Sequence, residues 1–511
     1  MKKFKYLVIF FAIAALSLSF LVSCKKNSYK GSETVEIKDE ADFFAISDKL
    51  GDDYRDFKFV LQNDLSFTAE NFKTVAPSQD NPFTAAFDGN GKKITVFLSD
   101  DDTGRYETSA QNISLFGNIK GAQIYNLSVD FDATVETASP LTYISSIASY
   151  AYSARGDSNL FDNIIVSGGI SASPKLVEFD NGVLGYETSV SEDVLYVGGV
   201  CAYAAGEVHF KDVTSHLAIT VKPSAEDSVY LYKTVYAGGI SAYVKSAESE
   251  AKAVKGNVSY DTVLATGRIK LDKAAQNTVI GGISGSVIGG AATDLTYTGT
   301  SITSVNAVVK GAIGDSGLHT IIGGIFGEQN NFDIIGASAK TDIVVADNKL
   351  GSYLLGGISG AVVINSYISS ATYEGVTSAI IAEGKSELNF GGITGLLMYS
   401  ELHDVTVKNG GLSIKNIFDY DISDEAIVAP PSDLLFEQTV AAGKISGNEK
   451  YRDSGSVVGR MYGDETTKLI GYTVIDFVPN ATPVGLTQKD ILTDGKINLD
   501  HAGPVILESA V

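Results

Sequence analysis

The chain is poor in cysteine, arginine, histidine and proline. Its 511 residues hold 2 Cys, 10 Pro and 5 His, and Arg occurs only at 55, 105, 155, 268, 452 and 460. Two cysteines cannot build a disulfide scaffold. Basic charge is scarce, 39 Lys+Arg against 61 Asp+Glu for a net −22, which argues against nucleic acid as a partner because no basic surface neutralises phosphates. Long helices are disfavoured by 52 Gly; without the Gly-X-Y period of collagen, so many glycines mark tight turns. What is present is an ordinary apolar fraction, 44%, enough for a sizeable core and too much for a mainly disordered chain.

The first residues have the layout of a secretory signal. Lys2, Lys3 and Lys5 form a basic region, an apolar run extends from Tyr6 to Val22, and the run ends at Leu21-Val22-Ser23-Cys24. That run is short for a bilayer span, and it closes on a small residue and Cys. Leu-Val-Ser-Cys resembles the lipobox of bacterial lipoproteins. The resemblance implies cleavage after Ser23 and lipidation of Cys24, with several acyl chains giving stable membrane anchoring. Removing 1–23 deletes three lysines and no acids, taking the net charge from −22 to −25, and leaves Cys201 as the only free thiol. Residues 24–34 read as a lipidated polar tether. Lys25 stands where an inner-membrane retention signal usually has Asp, so the resemblance points to the bacterial outer membrane or cell surface.

A five-residue unit, Gly-Gly-apolar-x-Gly/Ala, recurs at Gly198–Ala202, Gly238–Ala242, Gly281–Gly285, Gly323–Gly327, Gly356–Gly360 and Gly391–Gly395, with starts 40, 43, 42, 33 and 35 residues apart. Degenerate copies start at Ile113, Ser145 and Gly455. The longer step from 391 to 455 suggests one eroded copy between them. β-Branched runs come after the units, as at Ile124–Val129, Phe161–Val166 and Leu402–Val407, and carry a recurrent Asn or Asp at Asn126, Asp212, Asp294 and Asp404. Period-2 alternation and β-branching predict strands, and the spacing leaves no room for regular crossover helices. One such repeat cannot bury its apolar face alone, so stacking is required. Ile240, Ile283, Ile325, Ile358 and Ile393 are then expected to form an inward ladder. The glycines mark close backbone approach, and the Asn/Asp positions mark corners.

These Gly-Gly-Ile-x-Gly repeats resemble the GLUG-motif repeats of bacterial surface proteins. The order Phe59–Leu65, Phe87–Ile94, Leu115-Phe116-Gly117 and Ile124–Leu127 is similar to the opening turns of such chains. The likeness covers residues 35–463 and implies an all-β, right-handed parallel β-helix, a solenoid, with a surface location and no catalytic signature. A short N-terminal helical cap is expected over Asp39–Leu50, where Phe43, Ile46 and Leu50 share a face. Residues 464–511 are expected to form a C-terminal cap or small appended segment, and the stretch from Ile417 to Thr439 an inserted loop.

Candidate chemistry is sparse. Gly314-Asp315-Ser316-Gly317 lacks the rest of a serine-protease constellation, and Ser359 stands at the variable repeat position shared by Cys201, Phe326 and Thr394. Asp88-Gly89-Asn90-Gly91 opens like a calcium loop but has Lys92 at a ligand position. Asp100–Asp102 reads as a solvated turn, and the histidines at 209, 216, 319, 403 and 501 lack ligand spacing. Cys201 reads as a buried, inert thiol. Tyr143, Tyr150, Tyr152, Tyr203, Tyr230, Tyr232, Tyr236 and Tyr243 fall near successive units. They read first as strand filler; gathered on one face they would suit sugar stacking or protein contact. The resulting expectation is a non-enzymatic, lipid-anchored adhesion or binding scaffold for a glycan or protein ligand, without cofactor or metal. The alternative is a polysaccharide-active enzyme, a lyase or glycosidase, which would need paired carboxylates beside Arg155 or Arg268.

Overall fold

The computed structural model describes residues 33–98, 111–137, 141–154, 156–174, 194–222, 232–246, 256–272, 275–305, 318–347, 351–381, 387–416, 452–455, 457–462, 466–475 and 506–508. Cys24, the segment 1–23, the tether as far as residue 32, and 100–102, 314–317 and 417–439 lie outside them, as do Arg155, Tyr230 and His501. Among the described residues the fold is nearly all β, with one short α-helix, and its strands pair in parallel in a sheet of 26 strands and a sheet of nine.

Each strand lies between its equivalents in the preceding and following repeats. The nine-stranded sheet takes one strand from each repeat in chain order, from Gln111–Ile113 to Arg452–Gly455. The larger sheet holds the strands on the C-terminal side of each unit, and the fourth unit residue pairs continuously: Cys201 with Ser241, then Ser284, Phe326, Ser359, Thr394 and Val458. The expected ladder is present. Backbone hydrogen bonds of 2.8–3.2 Å run from Ile147 to Val200, then through Ile240, Ile283, Ile325, Ile358 and Ile393 to Val457. All eight side chains are buried in one core.

Two details of the repeat differ from expectation. Gly391 pairs directly with Gly455 and Thr394 with Val458, so no eroded copy separates them; the long step is one repeat carrying an insertion between Asn416 and Arg452. The unit at Ile113 is one residue short, because Ile113 pairs with Ile144 while Phe116 already pairs with Ala148. The copy at Ser145 lacks glycines yet keeps the register. Its hydroxyls point where a methyl would crowd carbonyl groups: Ser145 Oγ donates to Ala148 O at 2.7 Å and Ser146 Oγ to Gly199 O at 2.5 Å.

At the N-terminal end Asp39 caps a helix over Glu40–Phe44, accepting from the Asp42 N–H at 3.0 Å. The helix is shorter than the expected twelve-residue span, because a 3₁₀ turn, Ala45–Asp48, takes over where Ile46, Ser47 and Asp48 favour it least. Phe43 and Ile46 are buried, and the Phe43 ring lies 5.3 Å from Phe67 and 5.8 Å from Phe116. At the other end, Lys468–Ile475 pairs in register with Glu401–Lys408, and Ile506–Glu508 pairs with Lys468–Ile470.

The recurrent Asn/Asp marks a column of left-handed residues. Asn126, Asn163, Asp212, Thr262, Asp294, Gly336, Ser370, Asp404 and Gly471 occupy one register position, with φ between +51° and +78°. Asn, Asp and Gly tolerate this conformation, whereas a β-branched residue is strained in it. Thr262 is exposed, so its replacement by Asn is expected to raise stability by about 1 kcal/mol. A urea-unfolding series comparing the two proteins checks this, and an unchanged or lower midpoint contradicts it.

Candidate functional site

The chain lengths between strands vary most at one recurring place. The segments 99–110, 138–140, 175–193, 222–231, 273–274, 306–317, 348–350, 382–386 and 417–451 all join the end of a larger-sheet strand to the start of a nine-stranded-sheet strand. Insertions that map to one edge of a repeat array are the usual way such arrays vary a binding face on a constant frame. The strands that receive these segments have one face in the core, through residues such as Leu195 and Val197, and carry Tyr196 on the other.

That other face meets the outer face of the strand beyond the glycine unit. The unit folds the chain back so that the residue two before its start and the residue five after it come together. In three successive repeats both positions are tyrosine: Tyr143 and Tyr150, Tyr196 and Tyr203, Tyr236 and Tyr243. Along each column the rings stack, at 5.2 and 5.3 Å for Tyr143–Tyr196–Tyr236 and 4.9 and 5.3 Å for Tyr150–Tyr203–Tyr243. Between columns they meet edge to face at 5.8, 5.2 and 5.2 Å. Further along the same crease aliphatic side chains replace them. Val279, Ile321, Leu354, Ala361, Val363, Leu396 and Met398 form an apolar cluster separate from the main core, with Tyr236 packed against it.

The fifth unit residue varies with the filling of this crease. It is Ser149, Ala202 and Ala242 in the tyrosine-lined repeats and Gly285, Gly327, Gly360, Gly395 and Gly459 in those beyond. A Cβ on Gly285 would stand 2.8 Å from Val279 O, and one on Gly360 would stand 2.8 Å from Ile321 Cγ2 and Ile322 N. Glycine at this position thus accompanies aliphatic filling of the crease, where a Cβ would meet backbone, and serine or alanine accompanies the paired rings.

Of the tyrosines singled out in the sequence, Tyr143, Tyr150, Tyr203, Tyr236 and Tyr243 therefore gather in one crease, with Tyr152 beside Tyr150 at 5.7 Å. Tyr232 instead points into the core, where its hydroxyl meets Thr142 Oγ1 at 3.0 Å. Tyr196 is the member that sequence reasoning missed, although its offset of two residues before Gly198 repeats that of Tyr143 and Tyr236. Burial pushes the Tyr143, Tyr196 and Tyr236 phenols well above their ordinary value, so all three stay neutral. Because the rings stack on each other, the ladder turns edges and hydroxyls outward. Sugar stacking along its length, which needs faces, is not what this geometry offers.

The remaining candidates have structural roles. Cys201 is buried, burial drives its thiol far above the ordinary value, and Sγ points at Tyr203 O at 3.3 Å. Ser359 is buried and donates to Ala361 O at 2.9 Å. Asp88 accepts from Asn90 N at 2.9 Å and Asn126 Nδ2 at 3.2 Å, and Lys58 Nζ at 2.8 Å occupies the side where a cation would sit. Several carboxylates of the outer faces are neutralised by lysines of neighbouring repeats, as in Lys93–Asp130 at 2.8 Å and Lys340–Glu374 at 2.8 Å. Arg268 is exposed. Among the described residues no group of three or more His, Cys, Asp and Glu is placed to hold a metal ion.

His403 lies beside Glu401, at 2.9 Å, not beside its sequence neighbour Asp404, and Lys468 Nζ meets the same carboxylate at 2.6 Å. His403 first, then Lys468, hold Glu401 down from 4.5 to about 2 against the opposing effect of burial. A carboxylate lowered on folding stabilises the fold above its unfolded value and loses that contribution as pH falls through the folded one. Stability is therefore expected to decline between about pH 4.5 and pH 2 through this group, and Glu401→Gln to flatten that part of the profile. Unfolding midpoints measured across the interval test it; identical slopes in both proteins would count against the pairing.

No protein-family model, no curated protein and no solved structure matches this chain.

Proposed function

We propose that the chain is a lipid-anchored, right-handed parallel β-helix of the GLUG-repeat type that serves as a non-enzymatic adhesion or binding scaffold on the bacterial outer membrane or cell surface. The solenoid reading is supported by the strict parallel register from one repeat to the next, and by the superposed isoleucines that give each repeat a roof and a floor. Lipid anchoring rests on Lys2–Cys24 alone. The observation that carries a binding role is the concentration of the largest differences in repeat length at one corner; the connection that follows the strand beyond each unit varies less, as between Lys245 and Val258. Its net −22 favours cationic or uncharged ligands.

The deciding experiment applies the detergent-solubilised full chain to a glycan array and to the same polysaccharides in solution, with product analysis. Retained binding without release of reducing ends or unsaturated sugars is expected. Product release would replace this reading with a lyase or glycosidase. In cells, Cys24→Ala is expected to abolish incorporation of labelled palmitate; undiminished incorporation would refute the anchor.

A further inference from the structure

The dipeptide Asn-Gly occurs at 90–91, 181–182 and 409–410. The second lies outside the described residues, and the other two stand in contrasting surroundings. In this pair a main-chain nitrogen readily reaches the side-chain carbonyl carbon of the residue before it, because glycine has no Cβ to block the approach. Asn90 and Asn409 are both exposed and both left-handed, at φ +52° and +47°. They differ in how the reacting groups are held. The Gly91 amide donates to Asn126 O at 2.9 Å, and Asn90 Nδ2 donates to Leu61 O at 3.2 Å, so nucleophile and carboxamide are both pinned. At Asn409 the strand Glu401–Asn416 slips its register instead. Lys408 pairs with Glu374 and Gly411 with Val376, so Asn409 and Gly410 together span the place of Gly375 alone, as in a bulge. On the other side the strand Lys468–Ile475 ends opposite Lys408, so among the described residues the pair has a neighbouring strand on one side only.

From this contrast we propose that Asn409 is a site of spontaneous covalent modification, converting to aspartate and isoaspartate through a cyclic imide, while the fold protects Asn90. The Gly410 nitrogen gives its proton to hydroxide and bonds to Asn409 Cγ. The Cγ–Nδ2 bond then breaks, and ammonia leaves with a proton taken from water. Water opens the imide at one of its two carbonyls. Opening at Cγ gives aspartate; opening at the main-chain carbonyl gives isoaspartate, in which the chain runs through the former side chain. Water and hydroxide are the only co-reactants. Either product puts a carboxylate where the Asn409 side chain now hydrogen-bonds Glu374, an acid already paired with Lys340 at 2.8 Å. Like charges on adjacent strands repel, and the iso form also lengthens the main chain at the bulge. The inference depends on main-chain pairing alone and is separate from cell-surface adhesion.

The test is a time course of the full chain in mildly alkaline buffer, read by peptide mass mapping and by isoaspartyl-specific enzymatic methylation. In the native protein the peptide holding Asn409 is expected to gain about one mass unit at least about tenfold faster than the peptide holding Asn90. In concentrated urea, where no fold distinguishes them, the two rates are expected to agree within about threefold. Gly410→Ala is expected to slow conversion at 409 by at least about tenfold in native buffer and in urea alike, so a folding defect cannot imitate the result. Equal native rates at the two sites, rates that remain far apart in urea, or undiminished conversion in Gly410→Ala would each overturn the proposal. Failure here leaves glycan or protein adhesion untouched, and failure of adhesion leaves this site standing.

Discussion

Gly324→Ala is expected to destabilise the protein by about 3 kcal/mol or more. The second glycine of each unit faces the same glycine of the next repeat. At 324 an added Cβ would land on the Gly357 carbonyl oxygen, far inside van der Waals contact, and 2.8 Å from Ala339 Cβ. Positive φ is not the reason, since Gly324 has an ordinary backbone conformation. The methyl group can be admitted only by separating two backbones held by the Gly324 N to Gly356 O bond of 3.2 Å. Overpacking against backbone is costlier than against a side chain that can change rotamer. Urea unfolding gives the magnitude. Hydrogen exchange should locate the loss in the strands Leu318–Gly323 and Gly351–Gly356, whose pairing carries this contact. A loss below about 1 kcal/mol would mean that neighbouring repeats can slide apart, contrary to a close-packed array.

Tyr196→Ala is expected to cost about 3 kcal/mol, and Tyr196→Phe less than about 1. Tyr196 is the central ring of its column: it stacks on Tyr143 and Tyr236 and meets Tyr203 and Tyr243 edge to face at 5.2 and 6.1 Å. Truncation therefore removes four aromatic contacts at once and opens the crease, while phenylalanine keeps the ring and all four contacts. The pair of variants separates packing from hydroxyl chemistry. If phenylalanine were as damaging as alanine, the hydroxyl would be the working group, and the ladder would have to be regarded as a polar recognition surface. Chemical unfolding of both variants, with a binding assay on the phenylalanine protein, decides between these outcomes.

Much of the fold was legible from spacing. Gly-Gly-Ile recurs because each repeat meets the same neighbour above and below, so the requirement for small residues and for an inward isoleucine repeats with it. A corner was legible at Asn126, Asp212, Asp294 and Asp404 for the same reason, though its left-handed φ was not. It was hidden at Thr262 and Ser370, whose residue types give no sign of φ near +55°. The 391-to-455 step misled because period arithmetic cannot tell an eroded repeat from an insertion; the pairing of Gly391 with Gly455 can.

The crease was only half legible. Offsets of two before and five after the unit select the six tyrosines once it is known that these positions touch. Nothing in the alternation of a single strand says so, because both positions face away from the core and ordinarily face water.

Local rules that act the same way in every repeat were enough to specify strand type, period, inward ladder and the close glycine contacts. Which outward faces meet was decided by how sharply the unit folds the chain. The crease is filled from two strands at once, by tyrosine rings where the unit ends in Ser149, Ala202 and Ala242 and by aliphatic groups where it ends in glycine, as at Gly360 and Gly395. A contact between residues seven apart across a bend, repeated along an axis, exists only once the bend exists.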